Sequence, residues 1–360
     1  MIPRGPARDS CFMGAASLRQ PEILGAAAPT DVPQKAGAAA MLLGDGRLHL
    51  QHGPIDLVIG ADGTPAAVNA AFLAAQHRFA TILEELVDEL PVLRAPMQAA
   101  SPPPHGVVAR RMWQAARCHT GRYKGKNYLT AMAAVAGAVA DEVLAAMSDR
   151  AGCECAELDR AYVNNGGDIA LYLKARSPFL QKFDIGICAD PDIVFSRFSD
   201  AAARHHGQPQ KSPARPFAGT ITIYANDRVG GVATSGWKGR SHSLGVADFV
   251  TILAPDAAAA DVAATLIANA VNVDNSAAIK RQPAHQLAPD SDLGRRLVTL
   301  SVAPLPVDDI MTALKAGARM AQKMIASGNI YAAYGVVQGY GFHCDVGNVM
   351  VGNMPNQGQV

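Results

Sequence analysis

The sequence lacks a charge excess. Its 360 residues carry 32 basic and 31 acidic side chains, a formal net charge of +1 at neutral pH. A chain so balanced has no long-range field with which to hold nucleic acid or an anionic membrane, so neither is expected as a partner. It also lacks any run of 18 consecutive apolar residues, so no membrane-spanning helix is expected. No CxxC pair occurs among the six cysteines, Cys11, Cys118, Cys153, Cys155, Cys188 and Cys344. The Cys153-Glu154-Cys155 spacing is too short for a zinc knuckle, and thiols in a reducing compartment are the expectation. The first residues carry Arg4 with no apolar segment behind it, which argues against an export signal and for a cytoplasmic protein. The GxxxxGK[ST] phosphate loop is missing, as is the GxSxG turn of a nucleophilic serine.

Hydrophobic residues make up 49% of the chain, enough to bury a large core. Residues 1–40, rich in Ala, Pro and Gly without periodicity, are expected to form a flexible arm. Residues 41–339 carry alternating strand patterns and helical repeats and are expected to form the main domain. Residues 340–360, rich in Gly and Asn, are expected to be a mobile tail. The mixture of strand runs with helices predicts an α+β protein. Strands are expected over 47–52, 55–61, 160–163, 169–173, 183–188, 219–224, 248–254 and 297–302. Helices are expected over 66–90, 129–147, 256–271 and 308–326. The five prolines between Pro91 and Pro104 mark a linker or long surface loop. Residues 196–216 read as an irregular insert, and the adjacent His205 and His206 as part of a solvated loop. Arg110, Arg111, Arg117, Arg122, Lys124 and Lys126 form a locally basic stretch, either a solvated face or a phosphate contact.

Four stretches carry candidate chemistry. In Asn164-Asn165-Gly166-Gly167-Asp168, two glycines between strands suit a tight hairpin, and equally a close approach of backbone to ligand. The helix over 129–147 is almost wholly small or apolar yet contains Asp141, with Gly137 one turn before it. A buried carboxylate there needs a partner or an ion. Thr234-Ser235-Gly236, followed by Lys238, Arg240 and Ser241-His242-Ser243, offers amides, hydroxyls and cations suited to an anion. Asp261 and Thr265 stand four apart on one helix face, where a carboxylate and a hydroxyl can hold Mg²⁺. First-turn helix capping is the plainer alternative for Asp261.

In this order the four stretches resemble the ApbE superfamily of FAD-dependent FMN transferases and their relatives, most closely an uncharacterised cytoplasmic branch. The likeness covers roughly residues 45–340, including Gly53-Pro54-Ile55-Asp56-Leu57 and Leu266-Ile267-Ala268-Asn269. It implies an α+β fold with a T-fold-like core, bound FAD, and Mg²⁺ on the pyrophosphate. Asp261 and Thr265 become the implied metal ligands. Asp141, Asn165, Gly166, Gly167, Asp168, Thr234, Ser235 and Gly236 become the implied cofactor-binding residues, and Asp168, Ser235 and His242 the implied catalytic ones. The implied partner is a flavin or other small molecule, and a homodimer is expected from the small-residue helices. The chain departs from the family where a His-x-x-x-Pro-x-x-Gly segment would stand; here that stretch is His242-Ser243-Leu244-Gly245-Val246-Ala247-Asp248. Action on a different metabolite, or binding without catalysis, therefore stays open beside flavin chemistry.

Overall fold

The computed structural model describes residues 37–120, 128–148, 158–174, 181–188, 217–239 and 241–353. Fourteen strands and seven helices alternate along them. Strands β1 (Ala38–Leu42), β2 (Leu48–His52) and β3 (Ile55–Gly63) lead into helices α1 (Pro65–Asp88), α2 (Leu90–Leu93), α3 (Val107–Arg117) and α4 (Val135–Ser148). Next come β4 (Leu158–Asn165), β5 (Asp168–Leu173), β6 (Lys182–Cys188), β7 (Phe217–Tyr224), β8 (Gly231–Ser235) and β9 (Phe249–Ala254). Helix α5 (Ala257–Ala270), strand β10 (Ile279–Pro283), helix α6 (Ala284–Leu287) and strand β11 (Leu297–Val302) precede helix α7 (Val307–Ala326). Strands β12 (Ala332–Val337), β13 (Tyr340–Asp345) and β14 (Asn348–Asn353) close the described chain.

Ten strands form one sheet in the order β1-β2-β3-β4-β5-β8-β9-β12-β13-β14, antiparallel throughout. The expected α+β class is what the chain adopts. The 340–360 segment is not a free tail as far as Asn353, because β13 and β14 pair from Tyr340↔Asn353 to Asp345↔Asn348. Its glycines fall at a strand pair, Gly341↔Gly352, and at the Gly347 turn. The insert at 196–216, His205 and His206, the basic residues at 122–126, and Cys11, Cys153 and Cys155 lie outside the described residues.

Side-chain alternation gives the sheet two working faces. One face carries Leu57, Ile59, Ala161, Val163, Ala170, Ala233, Val250, Ile252 and Phe342 into the main core, where they meet α1, α3, α4, α5 and α7. Helix α1 shows why such segments settle there. Thr64 caps it, accepting the Ala67 N–H at 3.3 Å, and Pro65 opens it. Ala67, Ala71, Ala75, Phe79, Ile82 and Leu86 then line its buried side. On the other face a separate hairpin, β6–β7, packs Phe183 and Ile223 against Leu171 and Val232.

The backbones of α4 and α5 meet closely where the two helices cross. Both helices are built largely of alanine, and a Cβ on Gly137 would overlap the carbonyl of Ala257. The stretch Ala131–Ser148 is long and apolar enough, by length and composition, to cross a membrane, but 56% of it is buried inside this fold. Its buried Glu142 is bound by Arg78 at 2.8 Å and Arg111 at 2.9 Å. Arg111, read in the sequence as part of a basic face, is thereby committed to the core.

Gly137→Ala is expected to lower folding stability by about 2–3 kcal/mol, the cost of overpacking against backbone that cannot rotate away. Urea unfolding of the two proteins measures it, and an unchanged midpoint would show that the helices are free to separate.

Candidate functional site

The β4–β5 turn is a two-residue hairpin. Gly166 and Gly167 take φ of +66° and +113°, and Asn164 Oδ1 accepts the Gly167 N–H at 2.9 Å. Positive φ at both central residues is what such a turn requires, so the glycine pair is explained by the turn itself. The turn sets the residues at its base, Asn165 and Asp168, as a cross-strand pair on the helix-facing side of the sheet. From there the Asn165 side-chain amide donates to the carbonyl of Ala136 at 3.1 Å, tying the turn to the start of α4.

At that same start, the Gly137 N–H donates to Asp261 of α5 at 3.0 Å. In the opposite direction, Asp141 of α4 accepts the Ala257 and Ala258 N–H groups of α5 at 3.0 and 2.9 Å. The two helices therefore cap each other's exposed amides across the crossing. Asp256 adds the conventional cap of α5, accepting the Ala259 N–H at 2.7 Å. The expected cofactor-binding role of Asp141 thus gives way to a structural one, since amides hold both its oxygens. Asp261 is a cap as well, though for the neighbouring helix and not for its own.

Asp168 completes the group. Its Oδ1 accepts the Thr234 N–H at 3.3 Å, and its Oδ2 makes no hydrogen bond among the described residues. The charge of Asp168 acts on Asp261. Desolvation, then the charge of Asp168, holds Asp261 well above the ordinary carboxylate range. Desolvation pushes Asp168 up to about 7. Asp141 is also raised to about 7, by desolvation first and then by the charge of Asp256, in spite of its two amide donors. Two enclosed carboxylates whose charges oppose each other cannot both ionise readily, so the pair retains a proton near neutral pH or takes up a cation.

The other sequence candidates separate. Thr234 points to the opposite face of the sheet, where its hydroxyl shares a 2.9 Å hydrogen bond with Thr251. Ser235, next along the strand, turns to the helix side and is half-buried. Their side chains cannot line one site, because neighbours on a strand point apart. Gly236 is required by packing, since a Cβ there would overlap the carbonyl of Asp248. His242 is half-buried in the loop after β8, and no hydrogen bond joins it to the carboxylate pair among the described residues. Thr265 stands one turn beyond Asp261 on α5 and is half-buried, likewise without a hydrogen bond to it. Sequence reasoning missed the Ala136 carbonyl and the Gly137 amide, which carry no side-chain signal. It also missed Thr251, whose partnership with Thr234 follows from the β8–β9 register. Among the described residues no group of three or more His, Cys, Asp or Glu side chains is placed to hold a metal ion. A cation at this place would be held by the two carboxylates, with hydroxyls, water or a ligand's own oxygens completing its shell. That composition suits Mg²⁺, which commonly binds through one or two carboxylates plus substrate phosphates.

Fold and site together define an α+β protein with a carboxylate pair set between a hairpin turn and two helix starts. The chain belongs to the family described as AbpE bacteria, whose model matches residues 39–350. It is similar to a UPF0280 protein of Methanothrix thermoacetophila, 35% identical over 146 residues, which is 40% of this chain and 47% of that relative. The match therefore spans about half the relative's length. These findings correct the resemblance to the FAD-dependent FMN transferases, since the family matched is a different one. The physical reason is that the short motifs were not specific to a nucleotide site. Gly137 and Asp141 serve the helix crossing, the two turn glycines serve the hairpin, and Gly236 serves backbone packing.

The raised pKa values predict an unusual pH profile. Between pH 4 and 7 the unfolded chain has released protons that the folded Asp141 and the Asp168–Asp261 pair still hold, so stability falls as pH rises. Each retained proton costs about 1.4 kcal/mol per pH unit over that range. Asp168→Asn should reduce the slope and be more stable than wild type at pH 8, by about 1 kcal/mol or more. Denaturant titrations at pH 5 and pH 8 measure both effects; equal slopes in the two proteins would remove Asp168 from the coupled pair.

Proposed function

We propose that this protein is a cytoplasmic enzyme acting on the pyrophosphate of a small nucleotide, with FAD as the expected substrate and Mg²⁺ held at Asp168 and Asp261. The observation that carries the proposal is the pair of desolvated carboxylates, Asp168 at the base of the β4–β5 turn and Asp261 on α5. Mg²⁺ at that pair would neutralise phosphate charge and polarise a phosphoryl oxygen.

The chain's own groups supply position and proton control. Gly137 fixes one oxygen of Asp261, and Thr234 fixes one oxygen of Asp168, so the ligand geometry is set before anything binds. Asn165 holds the turn against α4 and keeps the two carboxylates from drifting apart. The coupled carboxylates hold a proton at neutral pH that binding of a cation expels, which makes occupancy pH-dependent. Thr265, one turn along α5, is the nearest hydroxyl on the same helix face to extend the ligand set.

Absorbance and chromatography of FAD incubated with the protein, with and without added Mg²⁺, give the test. Wild type is expected to convert FAD only with Mg²⁺, and Asp261→Ala to lose at least about 100-fold of that rate. No Mg²⁺-dependent conversion by wild type would end the flavin assignment. Equal activity in Asp261→Ala would end the metal assignment.

A further inference from the structure

On the face of the sheet away from the carboxylate pair, the β6–β7 hairpin does not close fully onto the strands below it. Phe183 and Ile223 pack on Leu171 and Val232 at one end and prop the hairpin up. Toward the other end a slot of about 270 Å³ lies between the hairpin and strands β9, β12 and β13. That is slightly under the usual span of ligand pockets, ~300–1,000 Å³. Its walls are Ile187 and Ile221 of the hairpin and Leu253 and Tyr334 of the sheet. The space exists because small residues, Gly219 above and Ala332 below, face it where larger ones would fill it.

The polar groups around the slot are of one kind. Tyr334, Thr251 and His343 of the sheet each bring an O–H or a ring N–H, and no carboxylate lines it among the described residues. Burial raises the Tyr334 phenol above its ordinary value, so it remains a neutral donor through the physiological range. Its ring is held in place by Phe249, 5.8 Å away between centroids. His343 lies 3.9 Å from Asp345, two residues on along the same strand, and offers a ring N–H at the rim. Two flat apolar walls with donors at the margin fit a planar ring bearing an acceptor or an anion.

We infer that this slot is a second ligand site, distinct from the carboxylate pair, and that it takes a small aromatic carboxylate with its ring beside Tyr334 and its anion toward His343. The ring lies between the hairpin and the sheet, displacing poorly satisfied water from Ile187, Ile221 and Leu253. The carboxylate accepts from the imidazole and from a threonine hydroxyl. Nothing in this assignment depends on Mg²⁺ or on FAD.

Calorimetric titration of the full chain with indole-3-carboxylate tests it. Wild type is expected to bind one equivalent saturably. Ala332→Leu, which fills the slot, should abolish that binding. His343→Ala, which removes the rim donor and leaves the walls intact, should weaken it about tenfold, or about 1.4 kcal/mol. Asp261→Asn should bind like wild type, which separates this site from the proposed metal site. No saturable binding by wild type would overturn the assignment, and so would binding unchanged in both slot variants. His343→Ala keeps the test decisive even where Ala332→Leu does not fold.

Discussion

Where α4 passes over α5, the absence of a side chain at residue 137 lets the two backbones touch, and the site depends on that contact. Helix starts leave amides without partners, and burying them unpaired would cost about 1–3 kcal/mol each. This crossing satisfies them reciprocally: Asp141 serves the first turn of α5, and Asp261 serves the start of α4. The solution places carboxylates in an alanine-lined, poorly solvated layer. Their protonation then depends on their neighbours rather than on bulk water, which is the condition an acid–base or cation site needs.

The sheet divides the chemistry into two compartments. On its helix side lie Asp168, Asn165 and the crossing; on its hairpin side lie Thr251, Tyr334, His343 and the slot. Thr234 is the point of contact between them. Its backbone N–H donates to Asp168, and its hydroxyl pairs with Thr251 on the far face. A strand residue can act on both faces only in this way, with the main chain on one side and the side chain on the other.

Much of the architecture was legible because its periodicities are strong. The α+β class, the long α1, the amphipathic α7 with Ile310, Leu314 and Met324 inward, and the β4–β5 hairpin all follow from local pattern. Strands β12 to β14 did not, because Gly335, Gly341, Asn348, Gly352 and Asn353 interrupt their alternation. Gly335 is tolerated within β12 because Phe342 of the neighbouring strand covers it, a relation visible only once the strands are paired. At the site, Asp168 and Asp261 could be picked out as acidic residues in apolar settings, but their interaction joins elements more than 90 residues apart in number. Asp141 looked equally functional until its two amide donors were placed. The short motifs led to the wrong family for the same reason, since glycine and aspartate at close-packed turns and crossings look alike whatever they bind.

Asp168 and Asp261 are proposed to form one proton-retaining pair that exchanges its proton for a divalent cation. Calorimetric titration of Mg²⁺ at pH 7 in buffers of different ionisation enthalpy measures it most directly. The account predicts that the observed heat varies with the buffer, reporting proton release on binding, and that the dependence vanishes in the Asp168→Asn protein. Mg²⁺ binding with no proton release, or the same release in that variant, would contradict it.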